Sequence, residues 1–188
     1  MSTQSFSPFW VWAPYSGEPG TAFVTEIFGL DDDAGRLLRG EAVPGMPQPF
    51  VEQCDPGTYT DMFGSYTGLL ILAPALVAVL QAAGARLQLI PLAIPGQPAC
   101  DYAIVNVLDT VPALDVAAST LTMFDGTDVI DRITHLVLQP IPADAPPIFH
   151  AAEHQVLILV NDALRRALEA ASDHPGVLTP VGKWRNVL

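Results

Sequence analysis

The chain has 188 residues, half of them hydrophobic and 15% charged, and its 20 acidic residues against 8 basic ones give a net charge of −12. That length suits one domain with a substantial core, and that balance of apolar to charged residues excludes disorder over most of the chain. So negative a field repels the phosphates of nucleic acid and the surface of an anionic membrane, and it attracts a basic protein.

The N-terminal stretch MSTQSFSPFWVWAP carries no positive n-region and no small-residue cleavage signal, so export is not expected. Within it Phe9-Trp10-Val11-Trp12 alternates as a short strand, with the aromatics packing into a core. TAFVTEIF (21–28) reads as a second strand. Asp31-Asp32-Asp33 reads as a solvated turn leading into a short helix over Ala34 to Arg39. Pro44, Pro47, Pro49 and Pro56 exclude regular helix beyond it, so residues 1–60 are expected to form a loop-rich peripheral layer of a single 188-residue domain. Cys54 and Cys100, the only cysteines, read as reduced thiols of a cytoplasmic protein; each precedes an aspartate, which disfavours a reactive thiolate.

From Leu69 the pattern changes. LLILAPALVAVLQAAG (69–84) predicts a strand, then a helix over 74–83 that Pro74 can start. That helix has almost no polar face and should be buried on most sides. The longest apolar run, Gly68 to Ala85, is interrupted by Pro74, Gln81 and Gly84, so no membrane span is expected. RLQLIPLAI and Asp101 to Leu108 read as strands. Thr120–Phe124 and Val129–Leu138 flank a turn at Asp125-Gly126-Thr127, a hairpin pattern. PIPADAPP (140–147) is a loop and Ile148 to Ala151 is extended. VLILVNDALRRALEAAS (156–172) predicts a strand and a helix over 162–171, capped by Asn161. Leu164, Ala167, Leu168 and Ala171 would form its apolar face. Arg165 and Glu169 would pair on its wet side, so that Arg165→Ala costs under about 0.5 kcal/mol. Two helices bracketing a run of strands define an α+β fold with a mixed or mostly antiparallel sheet.

The one motif with catalytic spacing is His150-Ala-Ala-Glu153-His154, the H-x-x-E-H order of zinc peptidases. That chemistry needs a helix, which sets two imidazoles one turn apart toward a metal. Pro146 and Pro147 block a helix upstream, and VLILV begins a strand two residues after His154. The segment is therefore expected to be a polar turn between strands, with no metal and no cofactor. On this reading His150→Ala leaves stability nearly unchanged. His135 reads as a solvent-side strand residue, and no nucleophile elbow, P-loop or dinucleotide fingerprint occurs.

Several segments of 69–182 together carry a likeness to a known family. They are LLILAPALVAVLQAAG, Tyr102-Ala-Ile-Val-Asn-Val-Leu with Asp115 after it, Leu136-Val-Leu, Ile148-Phe149, and VLILVNDALRRALEAA with Gly176 and Pro180. In order and spacing they resemble the immunity-eleven family of bacterial polymorphic-toxin immunity proteins, over about 60% of the chain. The chain departs from that pattern at the two helix starts, where Pro74 and Asn161 stand in place of Ser or Thr.

The resemblance implies a non-enzymatic cytoplasmic protein that neutralises a cognate toxin by binding it, and it implies no catalytic residues. The acidic balance implies that the toxin domain is basic. Leu87 to Asp131 holds six acids and no base. Acids in turns are free to reach a partner's Arg or Lys, which singles out Asp31, Asp32 and Asp33, then Asp125, Asp128 and Asp131. The competing readings are a zinc-dependent hydrolase using His150, Glu153 and His154, and a small-ligand-binding or scaffold domain. Self-association is compatible with all three.

Overall fold

The N-terminal strand β1 (Phe9–Ala13) sits inside a sheet rather than at the margin of the molecule. In the computed structural model, which describes residues 9–14, 20–30, 32–94 and 102–185, elements follow in the order β2 (Phe23–Phe28), α1 (Asp33–Leu38), β3 (Phe50–Asp55), β4 (Met62–Ser65) and β5 (Leu70–Leu72). They continue with α2 (Pro74–Ala82), β6 (Leu87–Leu92), β7 (Tyr102–Val107), β8 (Thr110–Val111), β9 (Thr120–Met123) and β10 (Ile130–His135). The last are β11 (Ile148–Ala151), β12 (His154–Asn161), α3 (Asp162–Ala171), β13 (Val177–Pro180) and a 3-10 turn, Val181–Lys183. The fold is α+β with mixed sheets, and both main helices fall where the sequence pattern puts them.

Six strands form one sheet in the order β3-β2-β4-β5-β7-β6. The Val51 N–H donates to the Ala93 carbonyl at 2.8 Å, and the Ala93 N–H donates to the Pro49 carbonyl at 3.2 Å. The two edges of the sheet therefore meet, and the sheet curls around its own core. Side chains alternate along its strands with period two. Phe63, Ile71, Ile90 and Ile104 point inward to meet Val24, Leu37 and Val51. Met62, Leu70, Leu72, Val105 and Val107 point outward into a second core.

That second core is shared. It receives Leu76 and Leu80 from α2, Leu164 and Leu168 from α3, and Trp12, Ile148, Ile158 and Val160 from a five-stranded sheet ordered β13-β1-β12-β11-β8. The far face of the five-stranded sheet buries Val11, Phe149, Leu157 and Leu159 in a third core. The hairpin β9–β10 covers that core with Ile130 and Ile133. β1 alternates between two of these cores: Phe9 and Val11 face the third, Trp10 and Trp12 the shared one. This alternation is why a strand from the expected peripheral layer holds an inner position, paired with β12 and β13.

Two expectations about helix surfaces are corrected. α2 buries only Leu76 and Leu80; Pro74, Ala75, Ala78, Gln81 and Ala82 face solvent. Exposed alanines carry little apolar area, so a helix without a polar face need not be covered. On α3, Ala167 and Ala171 are exposed and the buried face narrows to Leu164 and Leu168. Arg165 is not on the wet side. It bonds Asp162 and Glu169, its guanidinium lies 4.5 Å from the centre of the Trp10 ring, and its side chain is 17% exposed. Asn161 caps α3 as expected, its Oδ1 accepting from the Leu164 N–H at 2.8 Å.

Leu168→Ala should cost about 2–5 kcal/mol, since the side chain is fully buried in the shared core. Arg165→Ala should cost about 1 kcal/mol through loss of its stacking on Trp10, more than its neighbour Arg166→Ala, whose side chain is 71% exposed. Chemical denaturation of the three variants checks the order Leu168 > Arg165 > Arg166.

Candidate functional site

His150, Glu153 and His154 lie on a β-hairpin. His150 is in β11, Glu153 is in the two-residue turn, and His154 opens β12. Each of the first two has structural work. The His150 backbone N–H donates to the Asp109 carbonyl at 2.9 Å, and its ring Nδ1 donates to the Gln155 carbonyl. The ring is 2% exposed and packs under Gly40. A Cβ on Gly40 would stand 2.6 Å from the Val107 carbonyl oxygen and 2.8 Å from the His150 ring, and Gly40 has φ of +70°. With Nδ1 donating to Gln155, Nε2 is buried and makes no well-formed hydrogen bond, although the Val107 carbonyl lies near enough to favour the protonated ring. Burial pushes the His150 pKa below its ordinary 6.5, partly offset by the carbonyls of Gln155 and Val107. Burial also lowers the pKa of His154.

Glu153 acts as an anion clamp. One carboxylate oxygen accepts from the backbone N–H groups of Ala113 and Leu114, each at 3.1 Å, and the other accepts from Gln139 Nε2 at 3.4 Å. It fixes the loop after β8 against the strand pair below. A hairpin does not set the two imidazoles one helical turn apart, and no group of three or more His, Cys, Asp or Glu side chains able to hold a metal occurs among the described residues. The expectation that His150→Ala is silent is overturned, because the ring fills a closed site and holds a carbonyl. Nearby, a cavity of about 20 Å³ lined by Leu37, Leu70, Val105, His150, Val156 and Ile158 has room for one water.

The acidic candidates divide sharply. Asp31 lies outside the described residues. Asp32 is exposed at the start of α1 and makes no side-chain cap, whereas Asp33 is paired with Arg36 at 2.9 Å. In the base-free stretch, Asp109 is buried against Arg86 at 2.7 Å, and Asp115 accepts from the Ala118 N–H at 2.9 Å. Asp131 is half-buried in β10 and accepts from the Thr122 hydroxyl at 3.4 Å. Asp125 and Asp128 are exposed in the β9–β10 turn and meet no hydrogen-bond or ion-pair partner among the described residues. Among the described residues, no hydrogen bond or ion pair joins Asp32 or Asp33 to the acids of the hairpin. α1 packs by Leu37 into the curled sheet, and the hairpin packs by Ile130 and Ile133 on the five-stranded one.

The turn itself is tightly made. The Phe124 N–H donates to the Val129 carbonyl at 2.9 Å and the Thr127 N–H to the Phe124 carbonyl at 3.0 Å. The Thr127 hydroxyl donates to the Phe124 carbonyl and accepts from the Val129 N–H. Gly126 supplies the positive φ, +73°, that the turn requires. Beside the two free carboxylates stand Met123, Phe124 and Val129, exposed by 39%, 54% and 58%. The sequence pattern places these three in strands and assigns them no face. A signal was present: two apolar residues before the turn and one after it have no polar alternation to turn them inward.

Cys54 is a free thiol whose pKa burial raises, and Cys100 lies outside the described residues. No helix among the described residues is long and apolar enough to cross a membrane. No protein-family model matches the chain, and no curated protein matches it.

Because the folded pKa of His150 lies below its unfolded value, the folded state binds fewer protons. The stability this contributes is present above about pH 6.5 and is lost as pH falls through the lowered value. The melting temperature should fall as pH drops below about 6.5, and His150→Ala should flatten part of that fall while costing about 1–3 kcal/mol at neutral pH. Glu153→Ala should accelerate amide hydrogen exchange at Ala113 and Leu114. Unchanged protection there would show that the clamp does not hold the loop.

Proposed function

We propose that the protein is an immunity protein that binds and neutralises a basic toxin domain in the cytoplasm, without catalysis. The observation that carries the reading is the β9–β10 turn, where two carboxylates without internal partners stand beside exposed apolar side chains on a chain of net charge −12. The resemblance of residues 69–182 to toxin-immunity proteins supplies the biological setting. A field of this sign speeds encounter with a cationic partner, and desolvated apolar contacts then slow its departure. His150 and Glu153 are engaged by the fold, so the HAAEH segment lends nothing to a hydrolase reading. The cavity beside His150 is too small to favour a ligand carrier.

The test is co-expression with the basic domain encoded next to this chain. The expected outcome is restored growth and a one-to-one complex on size exclusion. Association should slow as salt rises, since the screening length falls from about 10 Å at 0.1 M to about 3 Å at 1 M. Absence of both rescue and complex would end the immunity reading, and stoichiometric zinc in protein purified without added metal would reopen the hydrolase one.

A further inference from the structure

The acids of this chain are unevenly committed, and so are its apolar side chains. In the β9–β10 hairpin, Ile130, in the pair next to the turn, and Ile133 are 5% and 0% exposed, buried in the third core. One residue further toward the tip, that packing ends. Met123 pairs across the strands with Ile130, and beyond this pair Phe124 and Val129 close the turn with their side chains in solvent. The hairpin pairs with neither large sheet. Irregularities in register at Asp131 and Thr134 let its strands keep two isoleucines inward while the tip stands clear.

We infer that the β9–β10 tip is the docking element: Phe124, flanked by Met123 and Val129, enters an apolar pocket on the toxin domain, and Asp125 and Asp128 meet Arg or Lys at the rim of that pocket. This rests on the immunity reading and narrows it to one surface and one kind of partner. Three features support it. The first is charge complementarity, since Asp125 and Asp128 meet no ion-pair partner among the described residues, whereas Asp33 and Asp109 have intramolecular ones. The second is composition: an exposed aromatic and methionine adjoining carboxylates in sequence are residue types that protein interfaces favour. The third is preorganisation. Thr127 ties the turn on both sides, so the tip is braced before docking and loses little conformational entropy when it docks. The α1 acids fall outside this surface, with Asp33 neutralised by Arg36.

The experiment measures binding kinetics and growth rescue with the adjacently encoded toxin domain for the full chain and three variants: Phe124→Ala, the pair Asp125→Lys and Asp128→Lys, and Asp32→Lys as a control. Phe124→Ala should speed dissociation by about 30-fold or more with association nearly unchanged. The double reversal should slow association by about tenfold at low salt and lose most of its effect at high salt. Asp32→Lys should change neither beyond the small effect of net charge. All substituted side chains are exposed, so melting temperatures should stay at the parent value, which separates lost binding from lost fold. Failure of the unmodified chain to bind or rescue would remove the immunity reading itself. Binding and rescue by the parent that both tip variants retain would overturn the hairpin proposal and leave that reading standing. A concentration-dependent dimer of the parent that Phe124→Ala dissolves would assign the tip to a second copy of the chain and overturn it as well.

Discussion

Trp12 is where the two ends of the chain are held to one core. Its ring is 2% exposed among residues of both helices and both large sheets, and its indole N–H donates to the Pro175 carbonyl at 2.6 Å. The next residue, Gly176, has φ of +90° and lies so close that a Cβ would fall 2.8 Å from the indole nitrogen and 2.1 Å from the Met62 sulfur. A buried indole N–H without an acceptor carries a large desolvation cost, so the 175–176 corner cannot move away from β1 cheaply. β1 in turn is paired on both sides, to β12 and to β13, strands from the last third of the chain. Strand order, helix placement and the floor under the hairpin all follow from this closure.

The floor matters to the proposed docking surface. Val11, Phe149, Leu157 and Leu159 form the outer face of the five-stranded sheet, and Ile130 and Ile133 bury against them. Glu153 then pins the loop after β8, and Leu114 and Leu136 complete the same core. A hairpin alone is marginal in water; this one is held by the apolar contacts of its strands, so its tip can remain solvent-exposed and still be ordered. The HAAEH segment contributes to that support, with Glu153 engaged by the Ala113 and Leu114 N–H groups and the His150 ring by the Gln155 carbonyl.

Element types were largely readable in the sequence because period and punctuation agreed. Asn161 capped α3, Pro74 opened α2, and Asp125-Gly126-Thr127 marked a turn, each by a local mechanism. What escaped was set by distant contacts. β3 and β4, in Phe50–Asp55 and Met62–Ser65, lie among prolines and glycines whose local message is loop, and their strand form comes from pairing with β2 and β5. The inner place of β1 depends on residues some 150 positions away. The load on Arg165 depends on Trp10, which no window around α3 contains. Of the site, the turn acids were visible and the exposed apolar tip was not, since exposure is decided by where the supporting core ends.

Net charge is a statement about the field, whereas an interface needs charges that remain uncommitted after folding. Asp33 and Asp162 are tied to arginines on their own helices, Asp61 accepts from the Ser172 hydroxyl at 2.7 Å, and Asp109 is closed over by Arg86. Such acids still add to the long-range potential that steers encounter, but each would have to surrender an existing partner before gripping a new one. Asp125 and Asp128 are free of that cost, and they adjoin in sequence the exposed Phe124 and Val129. Steering by the whole surface and grip by one small part of it are separable physical roles, and the proposed interface divides them at the line where the third core ends and the hairpin tip begins.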